Sequence, residues 1–108
     1  VDTVADNAAN AGVVLGAQTH APDAHDLRWI GAILTRDGVV DETGLGAGVL
    51  NDPVAWIVWL VRRLADYGLQ VEAGEVLLSG SFTRPVEAPP GSRFMADFGR
   101  FGRVDVGF

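Results

Sequence analysis

Apolar positions along the chain fall into distinct rhythms. Leu27, Trp29, Ile30, Ile33 and Leu34 lead into Asp37-Gly38, and Val39 and Val40 follow. Asp-Gly between apolar, β-branched segments predicts a hairpin, because both residues tolerate the positive φ of a type I′ turn. Ahead of it, "ADNAANAGVVLG" (5–16) sets small residues before an apolar run closed by Gly16 and reads as a short helix or turn leading into a strand. "AQTHAPDAHD" (17–26) is a polar loop.

"NDPVAWIVWLVRRLADYG" (51–68) has the punctuation of a helix: Asn51 or Asp52 as cap, Pro53 at the first helical position, Gly68 as stop. It spans about 15 residues, or about 22 Å. The run from Val54 to Val61 is apolar all round, so one buried face does not account for it. Either the helix lies in a deep core, or part of it packs on further chain or another subunit.

The remainder alternates as strands do. Glu75 to Ser79, "RFMADF" (93–98) and "GRVDVGF" (102–108) are predicted strands, and "APPGS" (88–92) is a turn. The order is strand, hairpin, one helix, three strands. That describes an α+β, mainly β chain with one covering helix, and disfavours a parallel doubly wound sheet.

Composition narrows the function classes. A chain of 108 residues holds one core, and 48% apolar residues make it globular. No apolar run is long enough to span a membrane. The eight cations are all arginine against fourteen carboxylates, and a net charge of −6 argues against a nucleic-acid partner. Without cysteine there is no thiolate chemistry and no sign of an oxidising compartment, so a cytoplasmic setting is expected. The chain opens on Val1 without a signal-peptide pattern and reads as cut from something longer.

Candidate chemistry is sparse. His20 and His25 share one loop with Asp23 and Asp26, but loop histidines among acids are more often solvated surface, and a metal site is set aside. "GLGAGVLNDP" (44–53) precedes a helix, yet the chain has no Walker lysine and the glycine spacing is not a dinucleotide fingerprint; a turn needing positive φ is the better reading. Asp41 and Glu42 are adjacent, so on a strand they point to opposite faces and make no acid–base pair; they read as solvated hairpin charges. What remains is "LLSGSFTRP" (77–85), a strand end with small hydroxyl residues, backbone N–H groups and the Arg84 guanidinium, suited to an anion or to a plain turn.

Five blocks carry a resemblance: "DTVADNAANAGVVLG", "DLRWIGAILTRDGVVDETG", "AGVLNDP", "GEVLLSGSFTRPV" and "ADFGRFGRVDVGF". In that order they resemble the hydratase and decarboxylase branch of the fumarylacetoacetate hydrolase superfamily, whose members act on 2-oxo-4-enoic acids in aromatic meta-cleavage catabolism. "DNAANAG" followed by "DLRWIGA" is most similar to the 2-oxohept-4-ene-1,7-dioate hydratase subfamily.

The resemblance implies that residues 1–108 are the C-terminal segment of a single catalytic domain with the family's mixed β-roll. It implies a magnesium or manganese ion that chelates the carboxylate and 2-oxo oxygen of the substrate. The Glu-x-Glu pair, third carboxylate and catalytic lysine that serve the ion and the protons lie upstream of this chain. No metal site is therefore expected within it, and the isolated chain is expected to be inactive. Expected partners are a small 2-oxo acid, the N-terminal part of the same enzyme, and further copies in a homo-oligomer.

By the same resemblance, Gly80 and Ser81 occupy the strand end that faces the substrate, with Asn7 and Ala9 in the block lining the other side of the pocket. Arg84 suits a second carboxylate, since guanidinium binds carboxylate bidentately, although a surface arginine is the plainer alternative. Ser81 serving only its own turn is the alternative for that residue. The chain departs from the family at Asp52, where His is usual, and at "VAWIVW", where small residues and Asn are usual. Two other functions stay open: decarboxylation of a 2-oxo-3-enedioate in the same pocket, and a non-catalytic binding or assembly module.

Overall fold

The structure, a computed structural model, describes residues 11–108. Its centre is a four-stranded antiparallel sheet of β1 (Gly31–Arg36), β2 (Val39–Leu45), β3 (Arg93–Asp97) and β4 (Arg103–Gly107), in the order β2-β1-β3-β4. One helix, α1 (Pro53–Ala65), interrupts the strands. The α+β, mainly β class follows from these elements.

The Asp-Gly signal is realised as expected: Asp37 (φ 51°) and Gly38 (φ 83°) both take positive φ and join β1 to β2. Asp37 also ties the hairpin tip to β3. Its N–H donates to the Arg93 carbonyl at 2.8 Å, and its Oδ1 accepts from the Arg93 N–H at 2.9 Å. The turn before β3 centres on Gly91 (φ 85°), with the Ser92 N–H donating to the Pro89 carbonyl at 3.1 Å. A positive φ at the third position is what a type II turn requires of its glycine.

Asp41 interrupts the β1–β2 register. Leu34 faces Glu42 while Thr35 faces Val40, leaving Asp41 as the extra residue of a β-bulge. The two acids are half-buried and ion-paired, rather than solvated as the sequence suggested. Asp41 lies 3.4 Å from the Arg36 Nε and Glu42 2.7 Å from Arg84.

The α1 boundaries match their signals. Asp52 Oδ1 accepts from the Val54 N–H at 2.9 Å, and Pro53 opens the helix. At the other end Gly68 (φ 69°) allows paired bonds from the Leu69 N–H to the Leu64 carbonyl and from the Gly68 N–H to the Ala65 carbonyl, both 3.0 Å. Trp56, Ile57, Leu60 and Leu64 form a half-buried stripe, whereas Val58, Trp59 and Val61 are exposed. No residue of α1 is buried, and its main tertiary contact is with the 3-10 turn Leu27–Trp29. Within the described residues, then, it does not cover the sheet as expected.

Two expected strands are absent. Glu75 to Ser79 makes no ladder with any described strand, and Val13 to Leu15 is exposed and irregular. Both have strand composition, but a strand exists only where a neighbour accepts its hydrogen bonds.

The packed centre is small. Ala32, Val49 and Phe94 are its buried apolar residues, and no described large side chain is completely enclosed. One face of the sheet, with Leu34, Ala96, Val104 and Val106, lines an apolar groove of about 230 Å³ partly covered by Val86 and Ala88. Phe94 meets Phe108 edge to face there, ring centres 5.8 Å apart. Among the described residues no helix is long and apolar enough to cross a membrane.

Candidate functional site

The segment from Gly80 to Arg84 is a turned loop held against β2. Gly80 takes φ 99°, which side-chain-bearing residues rarely adopt. Ser81 closes a turn on itself: its Oγ accepts from the Thr83 N–H at 3.2 Å and donates to the Thr83 carbonyl at 2.8 Å. The Phe82 carbonyl lies against Gly44 of β2, so closely that a Cβ at residue 44 would stand 2.7 Å from the carbonyl carbon. The Phe82 ring meets Phe98 edge to face, centres 6.3 Å apart.

Arg84 completes the attachment. Its Nε donates to Glu42 Oε1 at 2.9 Å, and its Nη2 lies 2.7 Å from the same oxygen. The glutamate side chain is only 16% exposed, the arginine 83%. A carboxylate drawn from water needs such a partner, whereas the exposed guanidinium keeps donors that no other described residue takes.

Phe98 also lines a second feature, a cleft of about 600 Å³ between the start of β1 and the β3–β4 connection. Trp29, Ile33 and Phe101 supply apolar wall, with His25, Asp97 and Arg100 as polar groups. The His20 and His25 rings pack on Phe101, with centres 4.6 and 4.9 Å away. The loop imidazoles thus serve an aromatic cluster. Asp26, at the edge of this cleft, accepts from the Arg28 N–H and pairs with its guanidinium at 2.6 Å. The hydrogen bond from the Arg28 side chain holds the Asp26 carboxyl below its usual pKa and raises that of Arg28. Among the described residues no group of three or more His, Asp or Glu side chains could hold a metal ion.

The structure thus brings Gly80, Ser81 and Arg84 into one anchored loop. Asn7 and Ala9 lie outside the described residues. Glu42 and Gly44, the loop's two anchors, carry no weight in the sequence reading; their alternate positions on one strand were the available signal. The stretch 44–53 does contain a turn with positive φ, but at Leu50 (48°) and Asn51 (65°) rather than at a glycine, while Gly44 and Gly46 are small because the Phe82 and Leu27 carbonyls press on them.

No protein-family model matches the chain. Among characterised proteins, 2-oxo-hept-4-ene-1,7-dioate hydratase of Escherichia coli is 52% identical over 107 residues, 99% of this chain and 40% of that protein. The chain matches the C-terminal portion of the hydratase and decarboxylase branch of the fumarylacetoacetate hydrolase superfamily. Other members of the branch align as fully with it. 2-Keto-4-pentenoate hydratase of Paraburkholderia xenovorans is 39% identical over the whole chain and 40% of its own length. A solved 4-oxalocrotonate decarboxylase from Pseudomonas putida G7, complexed with calcium and acetate, superposes with a TM-score of 0.91 at 31% identity, covering 98% of this chain and 41% of that one. The same enzyme complexed with magnesium and adipate gives 0.91 as well. The chain spans about 40% of the length of the relatives it matches.

Proposed function

We propose that residues 1–108 form the C-terminal segment of a divalent-metal-dependent hydratase that adds water to 2-oxo-4-enoic acids, seven-carbon diacids foremost, in aromatic catabolism. The observation that carries this reading is the 52% identity to the heptenedioate hydratase across 99% of the chain. Identity to the 4-oxalocrotonate decarboxylase of Pseudomonas putida is 31%. In the whole enzyme the segment forms part of the family's β-roll, with α1 packed over it, in a soluble cytoplasmic homo-oligomer. The exposed Val58, Trp59 and Val61 face supports burial of that kind.

Within this reading Gly80 and Ser81 face the substrate, and Asn7 and Ala9 line the opposite side. The Ser81 hydroxyl is spent on Thr83, so the loop's contribution to an anionic substrate is backbone N–H groups and shape. Arg84 supplies the charge for a distal carboxylate. The described residues do not fit a divalent ion, since they assemble no set of ligands; magnesium or manganese would be held elsewhere in the enzyme.

Decarboxylation is the second reading, favoured by the 0.91 superposition on a decarboxylase. The deciding experiment gives the full-length protein 2-oxohept-4-ene-1,7-dioate and 2-oxo-3-hexenedioate in turn, with magnesium. The hydroxylated 2-oxo diacid is the expected product of the first. Carbon dioxide from the second, with no hydration of the first, overturns the assignment.

A further inference from the structure

The guanidinium of Arg84 is held by one edge. Nε donates to Glu42 Oε1 and Nη2 lies beside the same oxygen, while no other described residue takes the donors of the Nη1 end. The holder is half-buried on β2, a strand fixed by its ladder to β1, while the held group is 83% exposed. Two residues along the same strand, Gly44 receives the Phe82 carbonyl, so loop and arginine share one rigid base.

We propose that Glu42 is a positioning residue for substrate selectivity: it presents the free edge of Arg84 to the second carboxylate of a diacid. The inference rests on the proposed hydratase function with Arg84 as the distal contact. An exposed arginine has many rotamers to lose when it grips a ligand, and a prior partner removes part of that cost. Glu42 also offsets part of the Arg84 charge, so the plane in which the guanidinium is met matters alongside its charge. A carboxylate gains by meeting the fork in its own plane, which a monoacid bound at its 2-oxo end has no group to do. An isolated surface pair would contribute little, but here the carboxylate is withdrawn from water and fixed to the sheet.

The test uses the full-length enzyme with a seven-carbon diacid and a five-carbon monoacid. Glu42→Leu is expected to raise the KM of the diacid relative to that of the monoacid by about 3- to 10-fold, with less change in kcat. Glu42→Gln keeps an acceptor for Nε and is expected to restore most of the ratio. If Glu42→Leu does not fold, Glu42→Asp, which withdraws the acceptor by one methylene, is expected to move the ratio the same way. An unmoved ratio in the folded Leu or Asp variant overturns the inference. Arg84→Leu separates the two levels. If it abolishes diacid preference while the Glu42 variants do not, positioning fails and the diacid contact stands. If Arg84→Leu leaves the preference intact, the underlying reading has failed.

Discussion

The backbone carbonyl of Phe82 occupies the space that the Cβ of any residue but glycine would fill at position 44. Gly44→Ala therefore forces the loop off the strand. Overpacking of this kind costs about 1–3 kcal/mol, and a lowered urea midpoint in the full-length protein is the expected result. An unchanged midpoint would mean that the loop does not rest on β2.

Ser81→Ala removes every side-chain bond to Thr83. A loss of about 0.5–1.5 kcal/mol is expected from the turn, with turnover falling several-fold if Gly80 and Ser81 face the substrate. Melting and steady-state kinetics on one preparation distinguish the roles. Lower stability with unaltered kinetics would leave Ser81 as a turn residue.

Asp52 caps α1 through the Val54 N–H. Asp52→Ala should lower stability by about 1 kcal/mol, and Asp52→Asn by much less, because the amide oxygen still accepts from the Val54 N–H. Denaturation midpoints of the two variants check this. Equal losses would show that charge, rather than the hydrogen bond, does the capping.

Asp26 gives a pH dependence with a definite sign. Its folded pKa is depressed, so the stabilisation from its bonds to Arg28 is complete above the ordinary aspartate range and disappears as pH falls through the depressed value. A carboxyl-carbon NMR titration should find the Asp26 midpoint below about 3.9, and Arg28→Leu should return it upward. A midpoint already at the ordinary value would remove the pair.

The 108-residue chain by itself should bind magnesium weakly and lack hydratase activity, since the described residues offer no ready ligand set. A tight one-to-one isotherm in calorimetry would contradict this.

What could be read in the sequence was what is written locally. Asp37-Gly38, Pro53 with its Asp52 cap, and Gly68 each carry their own backbone geometry, so the hairpin and α1 emerged with correct ends. β4 alternates cleanly, and β3 follows the Pro-Pro-Gly turn; both emerged too. Glu75 to Ser79 has the same flavour, but pairing is a property of two segments and no described strand meets it. The site fared similarly. Gly80, Ser81 and Arg84 could be singled out by residue type, whereas Glu42 lies 42 residues from Arg84 in sequence and is joined to it only by the fold.

The strand order carries a consequence for biosynthesis. β1 is interior to the sheet, yet it finds β3 only across the span that separates Thr35 from Met95, 60 residues apart. As the polypeptide leaves the ribosome, the β1–β2 hairpin can close at once, but the other flank of β1 stays bare until β3 has been translated and has emerged. During that interval the nascent hairpin offers an unpaired edge to any neighbour. Ribosome-stalled chains ending before Arg93 should therefore recruit chaperones or aggregate, and emergence of β3 should end that vulnerability.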